Sequence, residues 1–511
     1  MAKLKEKYDV VIIGSGMGGL ATGLILAKEG YKVCILEKGA QIGGTLQTFK
    51  RDGAKFDTGV HYVGGLDEGQ PLYPYFKYFG IFQDVQLKKM NADGYDLISF
   101  DGDSNFYPHA QGYDNFKQQL LKFFPDEEEG LDQYIAGIQV LCEKFSLYDL
   151  QANRPPQEEL PFLYQGAKEF IDGCVKNEKL RQVLAGSNLL YAGSGDKTPF
   201  YIHALIINSF ILSSYKFQNG GSEISRSLNY SLRDLGSHIE RNAEVSSINH
   251  LDTAIESVTL ADGRNIKGDI FISNIHPTQT IKLLDQSVIR KSYVSRLMNL
   301  SNTVSVFTLY LVLKPKSLRY FNHNHYHFHQ PDVWHLPEYQ PENWGKDFAV
   351  FTLPAKDDPA YSGIVTVMAY MNFEEIKQWE NSFNSTLKAH DRGSGYEDFK
   401  EAKAQVLLSS AEKVLPGLRQ KVQSYYTSTP LTQRDYLNSV DGAIYGVLHD
   451  YNAPLKSQVS TRTKFKNLFM TGQNIILHGI LGTSISAVAT CSNILGRDYL
   501  VNKIRNKVIK G

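Results

Sequence analysis

Tyr8-Asp9-Val10-Val11-Ile12-Ile13-Gly14-Ser15-Gly16-Met17-Gly18-Gly19 decides the fold of this chain. Tyr8 to Ile13 is a compact run rich in β-branched residues, which favour a strand. The glycines follow at once, Leu20 to Glu29 reads as a helix, and Tyr31 to Leu36 is a second β-rich run closed by Glu37. Strand, Gly-x-Gly-x-x-Gly and helix in that order, with an acid 18 residues past the last glycine, make a complete βαβ dinucleotide-binding unit. Gly14 allows the tight turn, Gly16 lets backbone approach a pyrophosphate, and Gly19 lets the helix pack close on the strand. The positive helix end and its free N–H groups then face the diphosphate. Glu37 is placed to accept hydrogen bonds from the adenosine ribose hydroxyls, and its charge disfavours a 2′-phosphate.

A counterpart lies at the other end of the chain. Asn467 to Asn474 reads as a strand ending in Gly472, Gln473 and Asn474, and Gly479-Ile480-Leu481-Gly482-Thr483-Ser484 leads into an apolar helix running to Leu495. A second helix N-terminus facing phosphate or isoalloxazine is hard to explain for a nicotinamide alone and fits FAD. No second strand-Gly-x-Gly-x-x-Gly-helix unit is found, which argues against a dedicated nicotinamide domain and leaves the external electron donor or acceptor open.

Between these ends the pattern alternates. The residues from about Leu97 to Lys216 read as mainly helical, with runs at 115–124, 130–145, 161–175 and 199–215 broken by Arg154-Pro155-Pro156 and Gly193-Ser194-Gly195. Short strand-like segments return at 243–249, 255–260 and 269–273, with a hairpin turn at Asp262-Gly263. Further strands are expected at 304–313, 348–353 and 363–370, and a helix at 398–414. The fold class is therefore α/β: a Rossmann-type FAD-binding domain assembled from residues 1–96, 217–303 and 425–511, with an inserted mixed α+β substrate domain from 97–216 and 304–424.

Among 511 residues, 54 Lys+Arg balance 54 Asp+Glu, which argues against a nucleic-acid binder. Four scattered cysteines form no CxxC pair and no metal-ligand spacing, and the N-terminus lacks the apolar core of a secretory signal, so a cytoplasmic location is expected. The longest stretch without Asp, Glu, Lys or Arg, 467–496, carries too many amides, hydroxyls and glycines for a membrane span. Peripheral membrane contact is one reading of Arg497, Lys503, Arg505, Lys507 and Lys510, interleaved with Leu500, Val501, Ile504, Val508 and Ile509; a solvated terminal helix is the other.

Val10 to Leu20 resembles the FAD-binding opening of the phytoene desaturase, carotenoid isomerase and retinol saturase superfamily. Phe56-Asp57-Thr58-Gly59-Val60-His61-Tyr62-Val63-Gly64 is closer to its all-trans-retinol 13,14-reductase branch, as are Pro430-Leu431-Thr432 with Gly442-Ala443-Ile444-Tyr445-Gly446, and Thr471-Gly472-Gln473-Asn474 with His478-Gly479. The similarity runs from end to end. Amine oxidases of the wider flavin group commonly show Gly-Gly-Arg where this chain has Gly43-Gly44-Thr45, which weakens an amine oxidase reading. The resemblance implies an FAD enzyme acting on a carbon–carbon double bond of a long apolar isoprenoid polyene, by saturation, desaturation or isomerisation. GDP-dissociation inhibitors and Rab escort proteins, which bind prenylated proteins without catalysis, share the fold and supply a non-enzymatic alternative.

The cofactor-binding residues are expected to be Gly14, Gly16, Gly18, Gly19, Glu37, Lys38, Gly43, Gly44, Thr45, Val245, Gly472, Gln473, Gly482, Thr483 and Ser484. His61, Tyr62 and Tyr445 are the candidate catalytic residues, with His449 and His478 as further proton donors. Thirty Tyr and 27 Phe supply much flat apolar surface, and Tyr75, Tyr78, Phe79 and Phe82 recur at i, i+3, i+4, i+7, lining either the core or a substrate tunnel. His323, His325, His327 and His329 would share one strand face; no carboxylate or thiolate in that run completes a coordination shell, so no metal is assigned and an exposed polar face is expected.

Overall fold

A computed structural model describes residues 4–150, 162–386 and 391–509. The Arg154-Pro155-Pro156 break and Lys510 lie outside the described residues. Strand β1 (Lys7–Ile13), helix α1 (Met17–Lys28) and strand β2 (Val33–Glu37) form the expected βαβ unit, with Gly14 at φ 94° making the turn that a side chain would resist. Leu20, Leu24 and Ile25 of α1 are fully buried against the sheet. Each such burial is worth roughly 1.5–3 kcal/mol, which is what fixes the helix on the strands.

The first sheet runs in the order 238–241, β2, β1, 265–273, with 468–470 parallel to the last of these. The hairpin strands 254–260 and 245–251 continue it antiparallel. Ile13, Glu37, Ser273 and Met470 thus end at one edge, the carboxyl edge where open α/β sheets bind ligands.

The second sheet has the order 422–428, 305–313, 362–371, 348–354, 324–328, 96–100, 107–109. All its pairs are antiparallel except 324–328 with 96–100. The segment expected to be mainly helical therefore opens with two strands, Asp96–Phe100 and Tyr107–His109, which pair with each other; the first also pairs with 324–328, more than 200 residues away, a partner that leaves no local signal. Two expected domain boundaries, 96/97 and 424/425, fall inside strands of this sheet. Helices Tyr113–Leu121, Glu128–Lys144, Ala167–Cys174 and Phe200–Leu212 follow in sequence, and the last is buried on nearly every side.

The structure changes one expectation and bears on two open readings. The Asn324–Phe328 strand is paired on both edges and buried throughout, so the histidine face is covered rather than exposed, with His325 and His327 at 6% and 4% exposure. Of the two readings of the aromatic stripe the structure takes the core: helix α2 (Tyr73–Phe79) stops at Gly80, in the left-handed conformation, and Tyr75, Tyr78 and Phe79 are packed between α1 and the Arg497–Ile509 helix. Phe82 lies beyond the helix end and packs on Tyr73 and Phe76. In the Arg497–Ile509 helix, Leu500, Val501 and Ile504 are buried and Lys503 pairs with Glu29 at 2.6 Å, so those apolar residues face the protein's own core. Among the described residues no helix is long and apolar enough to cross a membrane.

Candidate functional site

The glycine loop between β1 and α1 is built for close approach. A Cβ on Gly18 would lie 2.6 Å from Asn274 Oδ1 and 2.7 Å from Gly472 Cα; one on Gly19 would lie 2.2 Å from the Gly14 carbonyl oxygen. The two glycine-bearing segments, Gly18 and Gly472 being 454 residues apart in sequence, therefore touch beside Asn274, whose Nδ2 donates to the Gly14 carbonyl. Sequence reasoning missed Asn274; it follows the 265–273 strand, and only that strand's pairing with β1 places it under the loop.

Glu37 stands at the end of β2 with its carboxylate accepting from Ser15 N–H (3.0 Å), the Ser15 hydroxyl and Gly39 N–H (2.7 Å). These bonds hold it beside the loop. Ala243 N–H donates to the Glu37 carbonyl and Lys38 pairs with Glu244 at 3.3 Å, which brings buried Val245 next to this corner. Gly43 pairs with Gly16, and Gly44 packs against Gly16 Cα, so Gly43, Gly44 and Thr45 flank the same loop. Asp57, also unforeseen, is buried and accepts from Gly221 N–H at 2.7 Å; burial pushes its carboxyl up to about 7.

The Gly479–Leu495 helix packs on α1, with Thr22 and Thr471 hydroxyls 3.2 Å apart. Gly482 sits so tightly on the preceding loop that a Cβ would meet the Leu477 carbonyl at 2.3 Å. The Thr483 and Ser484 hydroxyls turn back onto the Gly479 and Ile480 carbonyls (both 2.8 Å), so it is the backbone of this helix start, not those hydroxyls, that is free to meet a ligand. Gln473 and Asn474 contact Gly446, joining this loop to the Tyr445 segment.

Beside this helix start opens an apolar cleft walled by the 59–64 segment, the Phe200–Leu212 helix, the second sheet and residues 477–481. Its rings are Tyr62, Phe210, Tyr326, Phe351, Tyr370 and Tyr445. His61, Tyr62, Tyr445 and His478 are brought together here, while His449 lines a separate cavity with Tyr201 and Arg497. His61 stacks on Phe351 (centroids 4.3 Å apart), its Nε2 has no partner, and burial, with the Lys216 charge behind it, lowers its pKa to about 4. Tyr445 donates to the Leu189 carbonyl (2.8 Å) and His478 Nε2 lies 2.9 Å from the Leu190 carbonyl. Burial lowers the His478 pKa to about 4.

Tyr62 has the richest surroundings. Its hydroxyl donates to Asp96 Oδ2 at 2.7 Å and lies 2.7 Å from the Tyr326 hydroxyl. Burial pushes Asp96 up to about 7, although Tyr62, Asn324 and Ser187 all donate to it. Ser187 continues the chain of bonds to His109 Nδ1 at 3.0 Å. Lys216, donating to the His323 and Thr352 carbonyls, is lowered by burial to about 7.

Comparison with known proteins agrees with this geometry. Residues 17–390 match the family of flavin-containing amine oxidoreductases, and the chain belongs to that family. It is 28% identical to the all-trans-retinol 13,14-reductase of Rattus norvegicus, over 98% of this chain and 87% of the relative. It is 24% identical to prolycopene isomerase 1 of an Oncidium hybrid cultivar, over 98% of this chain and 85% of the relative. An oxidoreductase structure from Methanosarcina mazei superposes with a TM-score of 0.64 at 16% identity, covering 95% of this chain and all of that one. The glycine cradle, the held Glu37 carboxylate and the unpartnered His61 Nε2 fit a flavin dinucleotide. The protein is an FAD-dependent oxidoreductase.

Proposed function

We propose that this enzyme saturates a carbon–carbon double bond of a long apolar isoprenoid polyene, a retinoid or carotenoid, with Tyr62 handing over the proton. One observation carries the reading: the cleft is lined by aromatic rings and contains a buried Tyr62–Asp96 acid pair next to the flavin-type helix start. The names of the reductase and isomerase relatives support the polyene class. In this reading the segments of the first sheet hold FAD and those of the second shape the cleft.

FAD, when bound, supplies hydride chemistry at its N5. The chain's own residues do the rest. Aromatic faces hold a conjugated chain flat and exclude water. Tyr62 would hold the proton for the carbon that does not receive hydride, and Asp96, half-protonated near pH 7, would in its protonated form return a proton to Tyr62 across their 2.7 Å contact. An external two-electron donor completes the balance of two hydrogens added. Anaerobic incubation of the reduced holoenzyme with retinol and carotenoids, read by mass, tests this: a gain of two hydrogens is expected. A loss of two hydrogens, or an isomer of unchanged mass, would replace saturation with desaturation or isomerisation.

A further inference from the structure

At the far end of the histidine strand, His329 leaves the sheet and meets Asp347. Its backbone N–H donates to Asp347 Oδ1 at 2.9 Å, and its Nδ1 lies 2.7 Å from Oδ2. From the short helix Val333–Glu338, His335 brings Nε2 to 3.2 Å from the same oxygen. The three ligand atoms all lie within 4.8 Å of one another. The carboxylate that the histidine run itself lacks thus comes from Asp347, whose side chain is 6% exposed, against 9% for His329 and 19% for His335.

The hydrogen inventory makes this cluster unusual. His335 Nδ1 faces the Asp332 carbonyl, which only accepts, so Nδ1 carries a proton. In the neutral ring Nε2 is then a lone pair, and it points at a carboxylate oxygen, another lone pair, so either a proton on Nε2 or a bound cation stands between them. His329 is held likewise: its Nε2 contacts the Gln330 side-chain amide at 2.9 Å, which serves either tautomer and leaves Nδ1 free to act as donor or ligand. Two imidazoles, each anchored through its distal nitrogen and converging on one carboxylate oxygen, form the arrangement that orients ligands around a metal.

We propose that His329 Nδ1, His335 Nε2 and Asp347 Oδ2 bind one divalent transition cation of the zinc class, with water completing the shell on the exposed side of His335. Two nitrogens and one oxygen suit Zn2+, whereas Mg2+ and Ca2+ take oxygen shells. The site is outside the cleft but braces it. Val333, two residues before His335, accepts from Asn188 Nδ2 at 2.6 Å, and Leu189 and Leu190 line the cleft. The cation would therefore clamp the strand end to the helix that supports the cleft wall.

The test uses tag-free holoenzyme stripped with EDTA, re-equilibrated with Zn2+ and passed through gel filtration. About one Zn2+ retained per chain is expected, together with a higher thermal midpoint. Asp347→Asn and His335→Gln should each weaken Zn2+ affinity by at least tenfold. Co2+ substitution should give visible d–d absorption in the wild type that His335→Gln lacks; His335 is the most exposed of the three, so this variant keeps the fold. Zn2+ retention equal in wild type and His335→Gln, or no retention at all, would overturn the site and leave a protonated His335–Asp347 pair. An equal midpoint rise with Mg2+ or Ca2+ would overturn the transition-metal assignment.

Discussion

The Tyr62 hydroxyl lies 2.7 Å from Asp96 Oδ2, with Asp96 fully buried and Tyr62 buried at the cleft wall. A phenol bonded to a carboxyl that is itself half-protonated near neutrality can lose a proton and be refilled without solvent. Tyr62→Phe keeps the ring and removes the proton, so turnover should fall roughly 10²–10⁴-fold while flavin content stays unchanged. Single-turnover reoxidation of the reduced enzyme by polyene measures this, and an unchanged rate would remove Tyr62 from the mechanism.

Asp96 also sets a pH signature. Its folded pKa, about 7, is raised by burial above an unfolded value near 4. Its contribution to stability is therefore complete below about pH 4 and is lost as pH rises to about 7. Asp96→Asn removes that slope, so the urea midpoint of the variant relative to wild type should rise between pH 4 and 7. The catalytic rate of the wild type should fall above about pH 7, as the proton reserve empties. Lys216, lowered by burial to about 7 and attracted by Asp96, shares that titration, so the inflection belongs to the pair.

The flavin end offers a backbone test. Gly18→Ala places a methyl 2.6 Å from Asn274 Oδ1 and 2.7 Å from Gly472 Cα, where backbone on one side cannot yield. The variant should purify with little flavin absorbance. Gly30→Ala is the control: its φ of 87° costs about 1 kcal/mol, yet its methyl meets open space, so flavin content should match wild type.

How much of this was legible in sequence follows from how local each signal is. The β1–α1–β2 unit and the Gly472 segment are written in consecutive residues, so spacing alone locates them. Asn274 is not: its role comes from a strand that pairs with β1 across some 260 positions. The histidine strand kept its period of two, but which face is covered depends on neighbours at 96–100 and 348–354. Tyr75, Tyr78 and Phe79 show the same limit, because an i, i+3, i+4 stripe reads identically for a core and a tunnel. The rings that do line the cleft, from Tyr62 to Tyr445, come from six separate segments and share no period.

That distinction separates two aromatic substitutions. Phe79 is 1% exposed between α1 and the terminal helix, so Phe79→Ala should lower stability by roughly 3–5 kcal/mol and leave the KM of the remaining folded enzyme unchanged. Phe351 is 8% exposed in the cleft, stacked on His61 with centroids 4.3 Å apart. Phe351→Ala should cost less stability, because one face already borders the cavity, but should raise the KM for polyene and free the His61 ring to reorient. Urea unfolding beside steady-state kinetics on both variants checks the pair. A KM shift confined to Phe79→Ala would return the tunnel to the Tyr75 face and away from the cleft at Tyr62.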